Sequence, residues 1–221
     1  MLQWQSIDTV TMADGTVFEL AKHDDEWTVR VQGRMLMSSR VHDSEEALAE
    51  SSLDRCDDPH AVLVGGLGLG FTLRAVLDRV EEDAVVTVAE LVPALVAWNR
   101  THLAPLHDRA LEDPRVEVVE GDVYDTLKRS PRAFDVVLLD VDNGPVGLSA
   151  VNNNRLYTES GMQTCYRSLK PGGVLTVWSA GEDKKFERRM LNAGFDVEVV
   201  RVAARSGSRA RHVLFVGLVP G

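Results

Sequence analysis

The stretch AVLVGGLGLGFTLRAVL (residues 61–77) places four glycines within six positions, between two apolar runs. The first run is typical of a buried β-strand, and the second has the pattern of a helix start. Glycine accepts positive φ angles and lets a ligand approach the backbone, and the helix N-terminus behind it offers free N–H groups. The stretch therefore predicts a strand–turn–helix unit beside a small polar ligand, although a turn built only for packing has the same pattern.

The chain beyond this stretch alternates apolar runs with helix-like segments. Four further runs predict strands at residues 84–90, 116–121, 134–141 and 173–180. Their continuous Val/Leu/Ala composition is typical of parallel strands that helices cover on both faces. The last two runs, 195–202 and 212–219, are joined by a short loop and should pair antiparallel. The predicted fold is α/β, with a doubly wound, mostly parallel sheet.

The N-terminal segment has a different pattern. Short alternating runs at 6–12, 16–23 and 27–32 are separated by turn residues such as Asp-Gly, which is typical of hairpins. We therefore expect a small β-meander over residues 1–42 and an α/β domain over residues 43–221. The domain should open with a helix at 43–53, with Asp43 as N-cap and Glu46 completing a capping box.

Composition and charge exclude several classes of function. The net charge of −10 makes nucleic acid a poor partner, and no apolar run is long enough to span a membrane. The two cysteines lack metal-ligand spacing, so we expect no metal and a reduced, cytoplasmic protein without a signal peptide. The basic tract at 201–212 is the local exception, interpreted as a solvated hairpin loop or a contact for an anionic group.

Acidic residues follow three successive predicted strands. In doubly wound sheets, ligands bind at the C-terminal ends of the strands. At these ends, Glu90 could accept hydrogen bonds from a ribose diol, and Asp122 could accept one from an exocyclic amine such as that of adenine. Asp140 would then lie nearest the reacting end of the ligand. Each has an ordinary alternative: Asp122 as a helix N-cap, and Glu90, Asp140 and Asp142 as capping or solvated residues. The predicted cofactor-binding set is Gly65, Gly66, Gly68, Gly70, Glu90, Leu91, Gly121, Asp122, Val123 and Asp140, with Asp142 and Asn143 facing the acceptor.

The glycine spacing limits the choice of ligand. Dinucleotide-binding proteins use G-x-G-x-x-G, whereas residues 66–70 read G-x-G-x-G, and the phosphate-binding G-x-x-x-x-G-K-[ST] is absent. NAD and FAD therefore become minority interpretations, and a nucleoside without phosphates fits better.

These motifs, in this order, resemble the class I S-adenosylmethionine-binding fold and, more narrowly, the spermidine synthase (polyamine aminopropyltransferase) family. The resemblance covers most of the chain to about residue 180 and rests on the stretches VLVGGLGLGFTLRAVL (62–77), VTVAELVPALVAWNR (86–100), RVEVVEGDVYDTL (115–127), FDVVLLDVDNGP (134–145) and LYTESGMQTCYRSLKPGGVLTV (156–177). It implies that Glu90 holds the ribose hydroxyls, that Asp122 holds the adenine amine, and that Asp140 helps deprotonate the attacking amine. It also implies that the Gly65–Gly70 turn faces the methionine-derived tail, and it favours a homodimer.

The chain departs from the family pattern at the acceptor side. The family turn reads G-G-G-D-G-G, and its aspartate, which receives the amine of the decarboxylated cofactor, corresponds here to Gly68. The D-x-x-D segment is shortened to DVDNGP (140–145), so its second aspartate is Asp142 or absent. No Y-H-E segment is recognisable. In the stretch RVHDSEEALAE (40–50) that replaces it, three residues could line a pocket, although capping and solvation are the simpler interpretation: His42, Glu45 and Glu46.

The missing loop aspartate shapes the functional hypotheses. Without it, we expect methyl transfer from S-adenosylmethionine to a small-molecule acceptor, with Asp140 as the base or orienting group. The alternative is aminopropyl transfer from decarboxylated S-adenosylmethionine to an amine. A catalytically silent nucleoside-binding protein and an NAD-type oxidoreductase are further possibilities. Acceptor specificity should lie in the irregular segment 144–156.

Overall fold

The residues that the structure describes form two β-sheets. The structure is a computed structural model that describes residues 4–140, 155–203 and 211–221. The N-terminal sheet is antiparallel, in the order β1-β2-β3-β4, with strands β1 (Gln5–Thr11), β2 (Val17–His23), β3 (Glu26–Val31) and β4 (Arg34–Ser38). The large sheet has the order β10-β11-β9-β8-β5-β6-β7 and contains β5 (Ala61–Gly65), β6 (Val85–Glu90), β7 (Val116–Glu120), β8 (Phe134–Leu139), β9 (Leu169–Ser179), β10 (Asp196–Ala203) and β11 (Arg211–Leu218).

Helices cover both faces of the large sheet. They are α1 (Asp43–Leu53), α2 (Phe71–Leu77), α3 (Pro93–Arg100), α4 (Val123–Arg129), α5 (Glu159–Ser168) and α6 (Lys184–Ala193), with 3-10 turns at Ala104–His107 and Ala110–Glu112. Strand β5 shows why its sequence is continuously apolar: Val62 and Val64 belong to one buried cluster and Leu63 to the cluster on the opposite face. Among the residues described, no helix combines the length and apolar character needed to cross a membrane.

The sheet topology confirms the predicted α/β fold. Strands β7, β6, β5, β8 and β9 are parallel neighbours, and β11 pairs antiparallel with both β9 and β10. The N-terminal sheet packs on this domain through a cluster in which Leu20 and Val29 are buried with Leu95 and Trp98 of α3. The boundary at residue 42 falls between β4 and α1, and the division into two domains stays a prediction.

One local prediction was wrong, and one strand was not predicted. The N-cap of α1 is His42, which makes no side-chain cap hydrogen bond, so Asp43 is already helical and forms no capping box with Glu46. Glu46 Oε1 instead lies 2.9 Å from His42 Nδ1. The fourth strand of the N-terminal sheet, β4, was also missed, because RMLMS lacks a regular polar–apolar alternation.

Candidate active site

The C-terminal ends of four parallel strands meet at one edge of the large sheet. Backbone hydrogen bonds join them: Gly66 N donates to Ala89 O (3.0 Å), Gly121 N to Glu90 O (2.8 Å) and Asp140 N to Gly65 O (2.9 Å). The turn after β5 therefore lies beside the ends of β6 and β8, and the end of β6 lies beside that of β7. This network brings the predicted strand-end residues together.

The glycine turn is held from behind by α3 and the following 3-10 turn. Asn99 Nδ2 donates to Gly68 O at 2.9 Å and to Leu95 O at 2.8 Å. Gly70 has a φ of +86°, and a Cβ there would lie 2.4 Å from Cδ2 of His107. Burial lowers the pKa of His107, whose Nδ1 accepts a hydrogen bond from Ala110 N at 3.0 Å. Glycine is therefore required at position 70 for two reasons: the φ angle is positive, and a Cβ would clash with the ring of His107.

Glu90 is a buried carboxylate, 5% exposed, at the end of β6. Its Oε2 accepts a hydrogen bond from Leu67 N, and its Oε1 accepts one from Val92 N, both at 2.8 Å. The two amides orient the carboxylate at the wall of a cavity. An ionised carboxylate is an acceptor-only group, so it suits the paired hydroxyl donors of a ribose.

The cavity beside Glu90 has a volume of about 320 Å³, within the range of small-molecule sites. Eight of the ten predicted cofactor-binding residues line it: Gly66, Gly68, Glu90, Leu91, Gly121, Asp122, Val123 and Asp140. Gly65 and Gly70 do not, and they shape the turn instead. The opposite wall comes from the N-terminal sheet and its first hairpin, which the sequence did not predict: Met12, Ala13, Asp14, Thr16, Phe18, Leu36 and Met37.

Asp122 has two structural partners. Its Oδ1 accepts a hydrogen bond from Tyr124 N at 2.7 Å, which confirms the N-cap alternative for α4. Its Oδ2 accepts one from Arg155 at 2.8 Å, and the Arg155 guanidinium also lies 4.4 Å from the centre of the Tyr124 ring. Arg155 was missed because it follows Asp122 by 33 residues. Adenine recognition by Asp122 stays a prediction.

A second cavity, of about 280 Å³, adjoins the first. The two share four lining residues: Leu36, Met37, Gly68 and Asp140. Thr72 Oγ1 lies 3.4 Å from Asp140 Oδ2 and donates toward it. Asp140 is therefore the carboxylate on the wall common to both cavities, and it can contact a ligand in either one.

The second cavity shows which residue of the stretch 40–50 lines a pocket. Glu45 lines it, whereas His42 and Glu46 do not. The His42 ring stacks on Phe71 with centroids 4.2 Å apart. Burial raises the pKa of Glu45, although its Oε2 accepts a hydrogen bond from Ser44 Oγ at 2.7 Å.

Several predicted site residues lie outside the described residues. These are Asp142 and Asn143, most of the segment 144–156, and residues 204–210 of the basic tract. Among the residues that are described, no group of three or more His, Cys, Asp or Glu side chains is placed to hold a metal ion.

Comparisons with known proteins identify the family of the chain. Residues 42–193 match the model of the spermine/spermidine synthase domain. The chain is 36% identical over 147 residues to polyamine aminopropyltransferase 2 of Pseudomonas aeruginosa, covering 63% of this chain and 40% of that protein. It is 31% identical over 189 residues to the polyamine aminopropyltransferase of Aeropyrum pernix, and this alignment covers 78% of this chain and 58% of that protein. The chain thus spans less than two thirds of these relatives.

Solved structures show the same fold. A spermidine synthase in complex with the transition-state analogue AdoDATO superimposes with a TM-score of 0.81 at 21% identity, covering 97% of this chain and 73% of that one. Spermidine synthase from Thermotoga maritima gives a TM-score of 0.78 at 21% identity, covering 97% and 72%. The fold is therefore that of spermidine synthases, and the domain match extends over more than half of the residues. The chain belongs to the spermine/spermidine synthase family.

Proposed function

We propose that this chain transfers an aminopropyl group from decarboxylated S-adenosylmethionine to a small amine. The observation that carries the proposal is the position of Asp140 on the wall shared by two cavities. Membership of the family and the aminopropyltransferase names of the relatives support it. The comparisons do not support methyl transfer, the first expectation from the sequence. The homodimer and the cytoplasmic location stay predictions.

The first cavity fits an adenosyl group. The oriented carboxylate of Glu90 would hold the ribose hydroxyls, and the wall at Gly121, Asp122 and Val123 would hold the base. The turn at Gly66 and Gly68 leaves room for the sulfur-bearing tail. When bound, the sulfonium supplies an electrophilic carbon, whose bond to sulfur breaks as the amine nitrogen bonds to it.

Asp140 is the residue placed to handle the proton of the amine. An amine attacks only through its lone pair, so it must lose a proton before or during attack, and a carboxylate at the junction can accept it. The backbone N–H of Asp140 is anchored on Gly65 O, and Thr72 Oγ1 donates toward its Oδ2. Both contacts limit the positions of the carboxylate, and alignment is the main contribution that this displacement requires.

One observation favours methyl transfer as the second candidate. The turn has no carboxylate at Gly68 to receive the ammonium of an aminopropyl chain, and the nearest atom to a Cβ there would be Met37 Sδ, at 3.6 Å. A glycine at this position also leaves room for the carboxylate of intact S-adenosylmethionine.

Product analysis separates the candidates. The protein is incubated with aliphatic amines and either cofactor, and nucleoside products are identified by mass spectrometry. We expect 5'-methylthioadenosine from the decarboxylated cofactor. S-adenosylhomocysteine from intact S-adenosylmethionine would establish methyl transfer instead. If neither cofactor gave a product, the proposed transfer would be refuted, and a catalytically silent nucleoside-binding protein would be the remaining candidate.

A substitution tests the role of Asp140. Asp140→Asn should lower turnover by roughly 10²- to 10⁴-fold, the usual contribution of a positioned general base. The control is Asp196→Asn, which removes an exposed carboxylate at the start of β10 that lines neither cavity. Equal turnover in the two variants would exclude Asp140 as the base.

A further inference from the structure

The two carboxylate oxygens of Asp122, on the wall of the first cavity, have partners of different kinds. Oδ1 accepts a hydrogen bond from Tyr124 N at 2.7 Å, which is the ordinary contact of an N-cap aspartate. Oδ2 accepts one from Nη2 of Arg155 at 2.8 Å, and Arg155 lies 33 residues further along the chain. The capping of α4 explains the first contact but not the second.

Arg155 is held at both ends of its side chain. Its Nη2 also lies 3.2 Å from Asp125 Oδ1, and its guanidinium carbon lies 4.4 Å from the centre of the Tyr124 ring, which attracts cations. Its backbone carbonyl accepts a hydrogen bond from Oγ1 of Thr158, the N-cap of α5, at 2.7 Å. The two residues that follow, 156 and 157, are buried. The guanidinium is thus fixed against the first turn of α4 by a backbone that is anchored at α5.

The ion pair between Arg155 and Asp122 is suited to orienting a carboxylate rather than to stabilising the fold. The two side chains are 45% and 15% exposed, and ion pairs that water reaches contribute little to stability. A hydrogen bond between a guanidinium and a carboxylate is nevertheless short and directional, because both groups are charged and planar. We therefore expect the pair to act mainly on the position of Asp122.

We propose that Arg155 is a positioning residue for base recognition, holding the Asp122 carboxylate where it accepts the 6-amino group of adenine. The inference rests on the adenosyl site of the proposed function. A carboxylate has about four acceptor positions, so the contacts with Tyr124 and Arg155 leave room for an amine. Residue 155 belongs to the segment 144–156, which is expected from the sequence to determine acceptor specificity. Its contacts assign it to the cofactor side instead.

A fixed carboxylate distinguishes purines by their group at position 6. The 6-amino group of adenine donates to a carboxylate, whereas the 6-oxo group of hypoxanthine is itself an acceptor and is repelled. A carboxylate that can rotate turns away from the 6-oxo group and avoids this repulsion. One that is bound through both oxygens cannot, so Arg155 should increase the discrimination between the two bases.

Nucleoside binding tests the assignment without requiring turnover. Calorimetry compares 5'-methylthioadenosine with 5'-methylthioinosine, which differ at position 6 of the base. We expect the wild type to prefer the amino compound by roughly 10- to 100-fold, the effect of one hydrogen bond to a charged group. Arg155→Met keeps an unbranched apolar stem, and it should reduce this preference by roughly 3- to 10-fold, the cost of ordering a side chain on binding.

Asp125→Asn is the matched control. It removes the other carboxylate partner of Arg155 from the same turn of α4, lines neither cavity, and leaves the pair with Asp122 in place. Its preference should equal that of the wild type. A merely structural role for Arg155 would weaken both nucleosides equally, and an unchanged preference in Arg155→Met would overturn the proposal. Tighter binding of 5'-methylthioadenosine by Arg155→Met would also overturn it, because Arg155 would then compete with the base for Asp122.

A double-mutant cycle tests whether Arg155 acts through Asp122. In an Asp122→Asn background, which keeps an oxygen for the cap of α4, Arg155→Met should leave the preference between the two nucleosides unchanged. A reduction as large as in the wild-type background would show that Arg155 acts independently of Asp122, and would refute its positioning role.

The transfer assay separates this inference from the proposed reaction. If no transfer occurs but the preference between the nucleosides depends on Arg155, the reaction is refuted and the positioning role stands. If transfer occurs and the preference does not respond to Arg155→Met, the reaction stands and the positioning role is refuted.

Discussion

Replacing Gly70 with alanine tests how the glycine turn is held. Gly70 precedes α2 with a φ of +86°, where an L-residue costs about 1–2 kcal/mol. The new Cβ would lie 2.4 Å from Cδ2 and 2.7 Å from Cγ of the buried His107 ring. Overpacking of this kind typically costs about 1–3 kcal/mol more. We therefore expect Gly70→Ala to lower the free energy of unfolding by about 2–5 kcal/mol in total.

Gly15 provides the matched control for this substitution. It has a φ of +85° in the turn between β1 and β2, and a Cβ there would have no atom within 4 Å. Gly15→Ala should cost only the backbone part, about 1–2 kcal/mol. Urea unfolding monitored by fluorescence and circular dichroism gives both values, provided that the two probes coincide. Equal losses in the two variants would refute the contact with His107, as would the absence of coupling between Gly70→Ala and His107→Ala in a double-mutant cycle.

Three further predictions concern buried ionisable groups. Glu90→Gln should weaken 5'-methylthioadenosine binding by roughly 10- to 100-fold in calorimetry. The control Glu120→Gln, at the exposed end of β7, should not weaken it. A loss of affinity below about 3-fold in Glu90→Gln would contradict the ribose role of Glu90. His107 is kept neutral by burial, which lowers its pKa, so the free energy of unfolding should fall as the pH drops below the unfolded value of 6.5. His107→Asn should remove this part of the slope in urea titrations at several pH values, and an unchanged slope would exclude His107 as its source. Burial raises the pKa of Cys165 to about 12, so iodoacetamide at pH 8 should alkylate Cys165 only in urea. Labelling of Cys165 in the native protein, distinguished from that of the partly buried Cys56 by peptide mass spectrometry, would contradict its burial.

The predicted cofactor-side residues meet because their positions follow from strand topology alone. Glu90 ends one parallel strand, Asp122 and Asp140 follow two others, and parallel strands in one sheet end at the same edge. Local patterning was therefore enough to predict that these residues line one cavity. It was not enough for Gly65 and Gly70, which had been expected to touch a ligand and instead accommodate Leu139 and His107.

The second cavity was harder to predict because distant segments build it. Its walls combine β4, α1, the turn after β5, the end of β9 and the start of β11. No spacing within the sequence relates Glu45 to Trp178 or His212. The pairing of Arg155 with Asp122 was missed for the same reason, since ion pairs between distant segments depend on packing rather than on pattern.

The α/β fold, the glycine turn and the three strand-end carboxylates could all be predicted from the sequence, because each depends on hydrophobic periodicity or on residues close along the chain. The resemblance that these motifs carry also identified the family. The packing of distant segments, which the sequence pattern does not show, places β4 on the wall of the first cavity and Asp140 between two cavities. It also placed Glu45, rather than His42 or Glu46, on the wall of the second cavity. A helix turn presents successive side chains in different directions, and the packing of α1 against α2 and the large sheet decides which of them lines the cavity.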